Sequence, residues 1–478
     1  MNRILRNYVL DVAYEIVALL VPLVTAPYLT RVLHAENYGI YSYVQSVGGM
    51  IITLSLLGIY SYGNRQIAYC RDNADDLSQT FWELMFLRLL LGALGTCVYF
   101  VFGMNTKYSW YFSLYYAYYL ANILDCSWVY VGMENMLPCV IKNMIAKVVT
   151  LVGVFLLVKT ENDVWKYTLL VSAGALVVNL SVYIQLKGIV KKPVVKLGNV
   201  FYHLKGSAYL FMPQIASLLY LQMDKAMLEW LTGGTAQVSF YDQAEKIVTI
   251  PLAIITALST VMMPRIANNY RKGNQDQIRY YLGKGMQYSL FLALPLAVGI
   301  ASIATELIPW YLGADYMPTA YAMVIISPIV ISNSLLGITG KQYFTATNKI
   351  GILALSNTIA AAINLVANWI LIPTRGYAGA AIATLLASCI NVVIQLWYMN
   401  RTISVGSMLR ASYKSTIGAI VMGISIIATT RLFQFPAAPS TTIAQTSIGL
   451  IVYAAILMIL KDKSMNEMLS FILKRKTR

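Results

Sequence analysis

The chain has 478 residues, 58% hydrophobic and only 12% charged, with a formal net charge of +16. A soluble domain carries about 25% charged residues, so this composition excludes a soluble enzyme and predicts a polytopic helical membrane protein. The alternation of an outer-membrane barrel is absent, and the basic residues punctuate apolar runs without forming the stripe that would fit nucleic acid.

The first seven residues are basic, and the apolar run after them contains Asp11 and Glu15. No small-residue cleavage site follows, which predicts a retained first span and not a signal peptide. A membrane-crossing helix needs about 20 residues. Fourteen stretches are expected to supply one, near 9–31, 40–63, 80–103, 110–131, 140–159, 167–187, 206–230, 238–263, 286–305, 318–340, 350–372, 377–399, 414–431 and 442–460. The expected fold is an all-α membrane protein of about 14 transmembrane helices. The charge-free spans after residue 286 read as lipid-embedded scaffold, and small residues over 378–387 favour close helix packing.

Lys and Arg mark the cytoplasmic side. They crowd the N-terminus (Arg3, Arg6), the even-numbered loops (Arg65, Arg71, Lys142, Lys187, Lys191, Lys192, Lys196, Lys205, Arg265, Arg271, Lys272 and others) and the tail. The odd-numbered side holds only Arg31, Lys107, Lys159, Lys166, Arg375 and Arg431. Both termini are therefore expected in the cytoplasm.

The chain repeats itself. A shift of 200 positions lays Tyr41 on Tyr241, Arg65 on Arg265, Arg71 on Arg271, Asp76 on Asp276 and Leu90 on Leu290. Six spans per repeat is an even number, so both copies keep one orientation, as in parallel repeats about an axis along the membrane normal. The expected domains are an N-lobe over 1–187, a cytoplasmic linker over 188–205 that contains Pro193, a C-lobe over 206–399, and two further spans with a basic tail over 400–478.

Charge sits where it is costly. Asp224, Lys225 and Glu229 fall in the seventh span, and Asp242, Glu245 and Lys246 in the eighth. Each such group at a helix centre costs roughly 2.5–3.5 kcal/mol on the insertion scale. Residues four apart share a helix face, which predicts the pairs Lys225–Glu229 and Asp242–Lys246. No basic residue stands four positions from Asp224 or Glu245. The cluster reads either as a structural zipper or as a wet cavity where a carboxylate takes up a proton or sodium ion.

Enzymatic motifs are absent: no Walker loop, HExxH, GxSxG or dinucleotide fingerprint occurs. No cofactor or metal site is expected. The two histidines, His34 and His203, fall at span edges and read as interfacial. The five cysteines have no metal-ligand spacing and read as reduced packing residues.

The strongest local signature lies over 22–71. It comprises Thr25-Ala26-Pro27-Tyr28-Leu29-Thr30-Arg31-Val32-Leu33, then Tyr38-Gly39-Ile40-Tyr41-Ser42-Tyr43, then Tyr62-Gly63-Asn64-Arg65-Gln66-Ile67-Ala68. Pro22 and Pro27 bend the first span and free carbonyls that need a polar partner. Tyr28, Tyr41 and Tyr43 offer an aromatic surface that suits either sugar stacking or the membrane interface.

These runs resemble the oligosaccharide (O-antigen repeat-unit) flippases. That family is the polysaccharide-transporter branch of the superfamily that also holds multidrug antiporters and lipid II flippases. The resemblance implies two six-helix lobes and two extra spans, with spans 1, 2, 7 and 8 around a central cavity. It implies an undecaprenyl-diphosphate-linked oligosaccharide as substrate, moved from the cytoplasmic to the periplasmic leaflet of the bacterial inner membrane. Implied partners are membrane lipid, a coupling proton or sodium ion, and polysaccharide polymerase machinery; implied enzymatic activity is none. Substrate-binding candidates are Arg31, Arg65, Arg265, Lys225, Lys246 and Tyr41, with the arginines at positions 65 and 265 at the cytoplasmic mouth. Ion-coupling candidates are Asp224, Glu245, Glu229 and Asp242. His34 stands where the family commonly has Gly after Val-Leu, so a different turn is expected there. The rival reading is a drug/cation antiporter of the same fold.

Overall fold

The computed structural model describes residues 3–192, 195–467 and 470. Pro193 and the basic tail residues 474–478 lie outside the described residues, as do the side chains of Arg3, Arg6, Asp11 and Glu15. Among the described residues the architecture is all-helical. Eight helices are long and apolar enough to cross a membrane, or nine if a pair bent by 47° at residues 327–328 counts as one span. The chain divides into two compact units. The first holds Met1–Glu229 and Gly234–Ser239; the second holds Trp230–Gly233 and Phe240–Arg478.

The first unit contains α1 (Arg3–Leu56), α2 (Ile59–Cys70), α3 (Ala74–Met104), α4 (Ser109–Ile123), α5 (Ser127–Gly132), α6 (Leu137–Leu157), α7 (Val164–Ser181), α8 (Tyr183–Leu186) and most of α9 (Leu197–Thr232). At about 1.5 Å per residue, 54 residues of α1 would run some 80 Å. That is far beyond a hydrocarbon core of about 30 Å. The helix breaks once, at His34, whose φ of 58° and ψ of 172° are non-helical. The break places a side chain in a backbone region where glycine is at ease. A second break, at Leu57 and Gly58 with φ of 43° and 71°, separates α1 from α2.

Bonds between loops sort the first unit into two ends. At one end the Thr235 hydroxyl donates to the Glu36 carbonyl (2.8 Å), the Asn37 amide to the Glu161 carbonyl (3.0 Å), and Lys107 meets Glu229 (3.1 Å). At the other, Arg71 pairs with Glu134 (2.8 Å) and Lys191 with Asp75 (2.6 Å). Loops expected on opposite membrane faces thus gather at separate ends. Gly39 is required where the chain turns back: a Cβ there would lie 1.9 Å from the Thr235 carbonyl oxygen.

The division differs from the expected boundary at 188–205, because α9 packs into the first unit. Its Ser207 hydroxyl donates to the Leu57 carbonyl (2.6 Å), which the α1–α2 break leaves without a helical donor. Its Gln222 carbonyl accepts from Ser46 (2.7 Å).

The second unit contains most of α10 (Thr235–Thr249), then α11 (Leu252–Arg271), α12 (Gln275–Tyr311), α13 (Met317–Ile326), α14 (Ile329–Leu336), α15 (Ile350–Asn400), α16 (Val405–Arg410), α17 (Tyr413–Leu432) and α18 (Pro439–Ile459). A π-helical stretch, Gly337–Thr345, follows α14. The 51 residues of α15 break at Gly376, whose φ is 52° and ψ −130°. One end of this unit joins Thr319 to the Phe240 carbonyl (3.2 Å) and Trp310 to Thr442 (2.9 Å). At the other, Lys284 pairs with Glu467 (2.7 Å).

The spans after residue 286 are more than scaffold. A buried polar ladder runs between the halves of α15 and the π-helical stretch. Thr339 donates to Gln395 (2.6 Å), Gln395 to Ser356 and Asn391 (3.0 Å each), and Asn391 to Asn357 (3.0 Å).

Candidate functional site

The seventh-span charges lie at the C-terminal end of α9. Asp224 is 2% exposed. A bare carboxylate so placed costs several kcal/mol, so it must be hydrogen-bonded, paired or protonated. Glu229 is buried, and its ion pair at 3.1 Å is with Lys107 of the α3–α4 loop. Same-helix spacing did not reveal that partner, because the two residues are distant in sequence. Lys225 is half-buried on the same helix.

The eighth-span charges lie on α10. Lys246 donates to the Asp242 carboxylate at 2.6 Å, the expected four-residue pair. Asp242 is 1% exposed, while the Lys246 side chain keeps 40% exposure. The carboxylate is thus fixed inside and the ammonium reaches toward the surface, as a long lysine stem permits. Glu245 is half-buried one residue before Lys246.

The other candidates are more scattered. Arg31, Arg65 and Arg265 are exposed. The Arg65 guanidinium lies 5.8 Å from the centre of the Tyr62 ring. Tyr41 is buried against Tyr167, with ring centres 4.4 Å apart, and so presents no open stacking face in this structure. The signature tyrosines are packing residues here because a hydroxylated ring can fill a helix seam and still be satisfied. Tyr241, which the 200-residue shift matches to Tyr41, is also buried, hydrogen-bonded to Thr384 at 2.9 Å.

Sequence reasoning missed two buried polar clusters in the first unit. In one, Lys142, 6% exposed, donates to Asp125 (2.6 Å), Asn179 (2.8 Å) and the Ser127 hydroxyl. Lys142 was expected to mark a cytoplasmic loop; the structure makes it an interior cation that caps the α4–α5 break. Arg88 assists there, donating to the carbonyls of Ile123 (2.8 Å) and Asn122 (2.5 Å) at the end of α4. In the other, His203 is buried between Tyr62 and Glu83, a correction to its expected interfacial place. The missed polar ladder did carry a signal. Its Asn391 and Gln395 recur with the neighbouring Thr384 and Ser388 at four-three-four spacing, one face of a helix.

Among the described residues no group of three His, Cys, Asp or Glu side chains is placed to hold a metal ion.

Known proteins share both the sequence pattern and the fold. A family model described as polysaccharide biosynthesis protein matches residues 4–270. A second, described as lipid II flippase MurJ, matches residues 183–448. A probable low-salt glycan biosynthesis flippase of Haloferax volcanii is 25% identical over 59% of this chain. The match spans 58% of that relative's own length. A putative O-antigen transporter of Escherichia coli strain K12 is 23% identical over 80% of this chain and 92% of its own. The inward closed structure of the lipid II flippase MurJ matches with a TM-score of 0.70 at 17% identity, covering 95% of this chain and 98% of that one. That likeness is one of fold.

Proposed function

This chain belongs to the polysaccharide biosynthesis protein family, and we propose that it is a flippase for undecaprenyl-diphosphate-linked oligosaccharide. It moves the substrate from the cytoplasmic to the periplasmic leaflet of the inner membrane by alternating access. The observation that carries this reading is the extent of the family match, which takes in the whole signature over 22–71 and both α9 and α10. The relatives named as O-antigen transporter and glycan flippase support it.

In this reading the chain crosses the membrane fourteen times, with both termini and the 188–205 linker in the cytoplasm. The lobes over 1–187 and 206–399 are parallel repeats. Arg65 and Arg265 admit the diphosphate, for which arginine's planar fork is suited. Arg31, Tyr41, Lys225 and Lys246 contact the substrate in the course of the cycle; the burial of Tyr41 confines its contact to another state. Asp224 or Glu245, supported by Glu229 and Asp242, takes up a proton or sodium ion and couples its gradient to the return step. Polysaccharide polymerase machinery receives the product.

The test is accumulation of lipid-linked oligosaccharide in a strain deleted for this protein. The proposal expects intact lipid-linked repeat units to build up on the cytoplasmic side and surface glycan to fall. Unchanged lipid pools and glycan, with altered sensitivity to organic cations, would favour the antiporter reading instead.

A further inference from the structure

At the end of the second unit where Lys284 meets Glu467, three segments distant in sequence enclose a groove of about 640 Å³. The start of α12 forms one wall, the connection from α15 through α16 to α17 the second, and the tail at Lys463 the third. Small-molecule sites usually hold roughly 300–1,000 Å³, so the space suits a headgroup-sized ligand. On α12, Tyr280, Gly283, Lys284 and Gln287 line the groove at three- and four-residue spacing, one face of the helix. Arg279 stands at the edge of that face. At Gly283 an added Cβ would meet only Met408 Cγ, at 3.9 Å, so the missing side chain keeps the floor of the groove open.

The lining is basic. Arg279, Lys284 and Lys463 contribute three cations, and no Asp or Glu lines the groove. Lys284 is already committed, since Glu467 holds it at 2.7 Å. Arg279 is not: its contact with Asp276 is 3.9 Å long and both side chains are more than half exposed, an arrangement worth little. Lys463 is exposed. Ser404 and Ser407 add hydroxyls to the same wall. Cations and hydroxyl donors in one groove favour an anion with several acceptor oxygens. The chain's own tail does not supply one, because Lys474, Arg475, Lys476 and Arg478 are basic.

Aromatic residues mark the depth of the groove. Trp397, in the last turn of α15, is exposed, and the Arg401 guanidinium lies 3.8 Å from the centre of its ring. Tyr280 on α12 and Tyr413 at the start of α17 are exposed as well. Trp and Tyr gather at the level of lipid headgroups, and basic pockets between spans on the cytoplasmic side bind anionic headgroups. The basic loops mark this end as the expected cytoplasmic one. From Tyr413, exposed Ile417, Ile420 and Ile424 continue along α17 at helical spacing, an apolar stripe suited to acyl chains.

We propose that this groove binds the phosphodiester headgroup of an anionic glycerophospholipid from the surrounding leaflet. Arg279 and Lys463 grip the phosphate oxygens from α12 and the tail, and the hydroxyls of Ser404 and Ser407 add neutral hydrogen bonds. Lys284 adds positive field while it keeps the tail in place through Glu467. A zwitterionic headgroup fits less well, because it brings its own ammonium to a lining of three cations and no carboxylate. The bound lipid ties α12, the α15–α17 connection and the tail together at one point. Such a site requires only that the chain crosses a membrane, and it is independent of what the chain transports.

The test titrates full-length protein, delipidated in neutral detergent, with phosphatidylglycerol or phosphatidylethanolamine and counts bound lipid by native mass spectrometry. The first phosphatidylglycerol should bind at least about tenfold more tightly than phosphatidylethanolamine, at roughly fivefold per basic residue near the surface. Arg279→Gln with Lys463→Gln should remove that preference while Lys284 still holds the tail. Gly283→Phe keeps every charge and fills the groove, so it should also abolish the tight binding. That variant separates the site from the general attraction of a chain of net charge +16 to anionic lipid. Phosphatidylglycerol with a photoreactive headgroup should label the parent within 279–287 or 404–411, a readout that needs no variant to fold. Equal affinity for the two lipids, parent-like binding in folded Gly283→Phe, or labelling confined to other segments would overturn the proposal. Inorganic phosphate that competes mole for mole with the lipid would make this a site for a free anion and overturn it too.

Discussion

Removing Lys142 should be among the most damaging single changes in the first unit. Its ammonium is buried and satisfied by Asp125, Asn179 and Ser127. Deleting one partner of such a pair leaves an uncompensated charge and costs about 3–5 kcal/mol. With Tm moving roughly 2–4 °C per kcal/mol for units of this size, Lys142→Met should lower the midpoint by about 6–20 °C. Asp125→Asn should cost less, because Lys142 keeps Asn179 and Ser127. Replacing both removes the buried charges together, which is often close to neutral. The double variant should therefore be more stable than the sum of the singles by at least about 1.5 kcal/mol, well above the roughly 0.5 kcal/mol scatter of independent sites. Thermal denaturation of detergent-purified protein, followed by fluorescence-detected gel filtration, measures all four corners of the cycle. Strict additivity, or a Lys142→Met variant as stable as the parent, would refute the assignment of Lys142 as an interior cation.

His34→Gly should stabilise the chain by about 1 kcal/mol, since the strain of a side chain at φ 58° and ψ 172° exceeds the entropy glycine costs; an unchanged or lower midpoint would contradict this. Replacing Arg65 and Arg265 together with Ala should impair glycan export several-fold at normal protein level, read by surface glycan staining, and full export would exclude a role at the diphosphate. The tail contact is pH-dependent with a defined sign. Lys284 first, and Tyr288 next, hold Glu467 below its ordinary value. Its contribution is therefore present above the unfolded glutamate pKa of about 4.3 and is lost only as pH falls through the lowered folded value. Protection of residues 463–467 from proteolysis should persist at pH 4.5 and fail in more acid solution, whereas in Lys284→Ala it should already be weak at pH 7. Asp224→Asn with Glu245→Gln should preserve folding but abolish dependence on the ion gradient, and wild-type dependence in vesicles would make the cluster structural.

Much of the fold was legible because span-forming runs and the breaks between them are local features. Apolar length, Gly376 and the motif around His34 all act within a few residues. The Asp242–Lys246 pair was legible for the same reason, since four-residue spacing on a helix dictates contact. The Lys107–Glu229 pair and the Glu83–His203–Tyr62 cluster were not, because their members meet only after helices pack. Counting Lys142 as a loop marker failed for a related reason: positive charge near a span end signals topology only when the side chain stays outside. The ladder from Thr339 to Gln395 was not legible because neutral amides and hydroxyls build a buried polar seam without any charge to mark it.

Flipping by the purified protein in vesicles tests the central claim most directly. Vesicles containing the protein and an undecaprenyl-diphosphate-linked oligosaccharide would be probed with a membrane-impermeant lectin or glycosidase from one side. The account predicts that substrate held in the opposite leaflet becomes accessible far faster than in protein-free vesicles, and that Arg65→Ala with Arg265→Ala slows it. Accessibility that rises at the rate of empty vesicles, in protein shown to be folded, would contradict it.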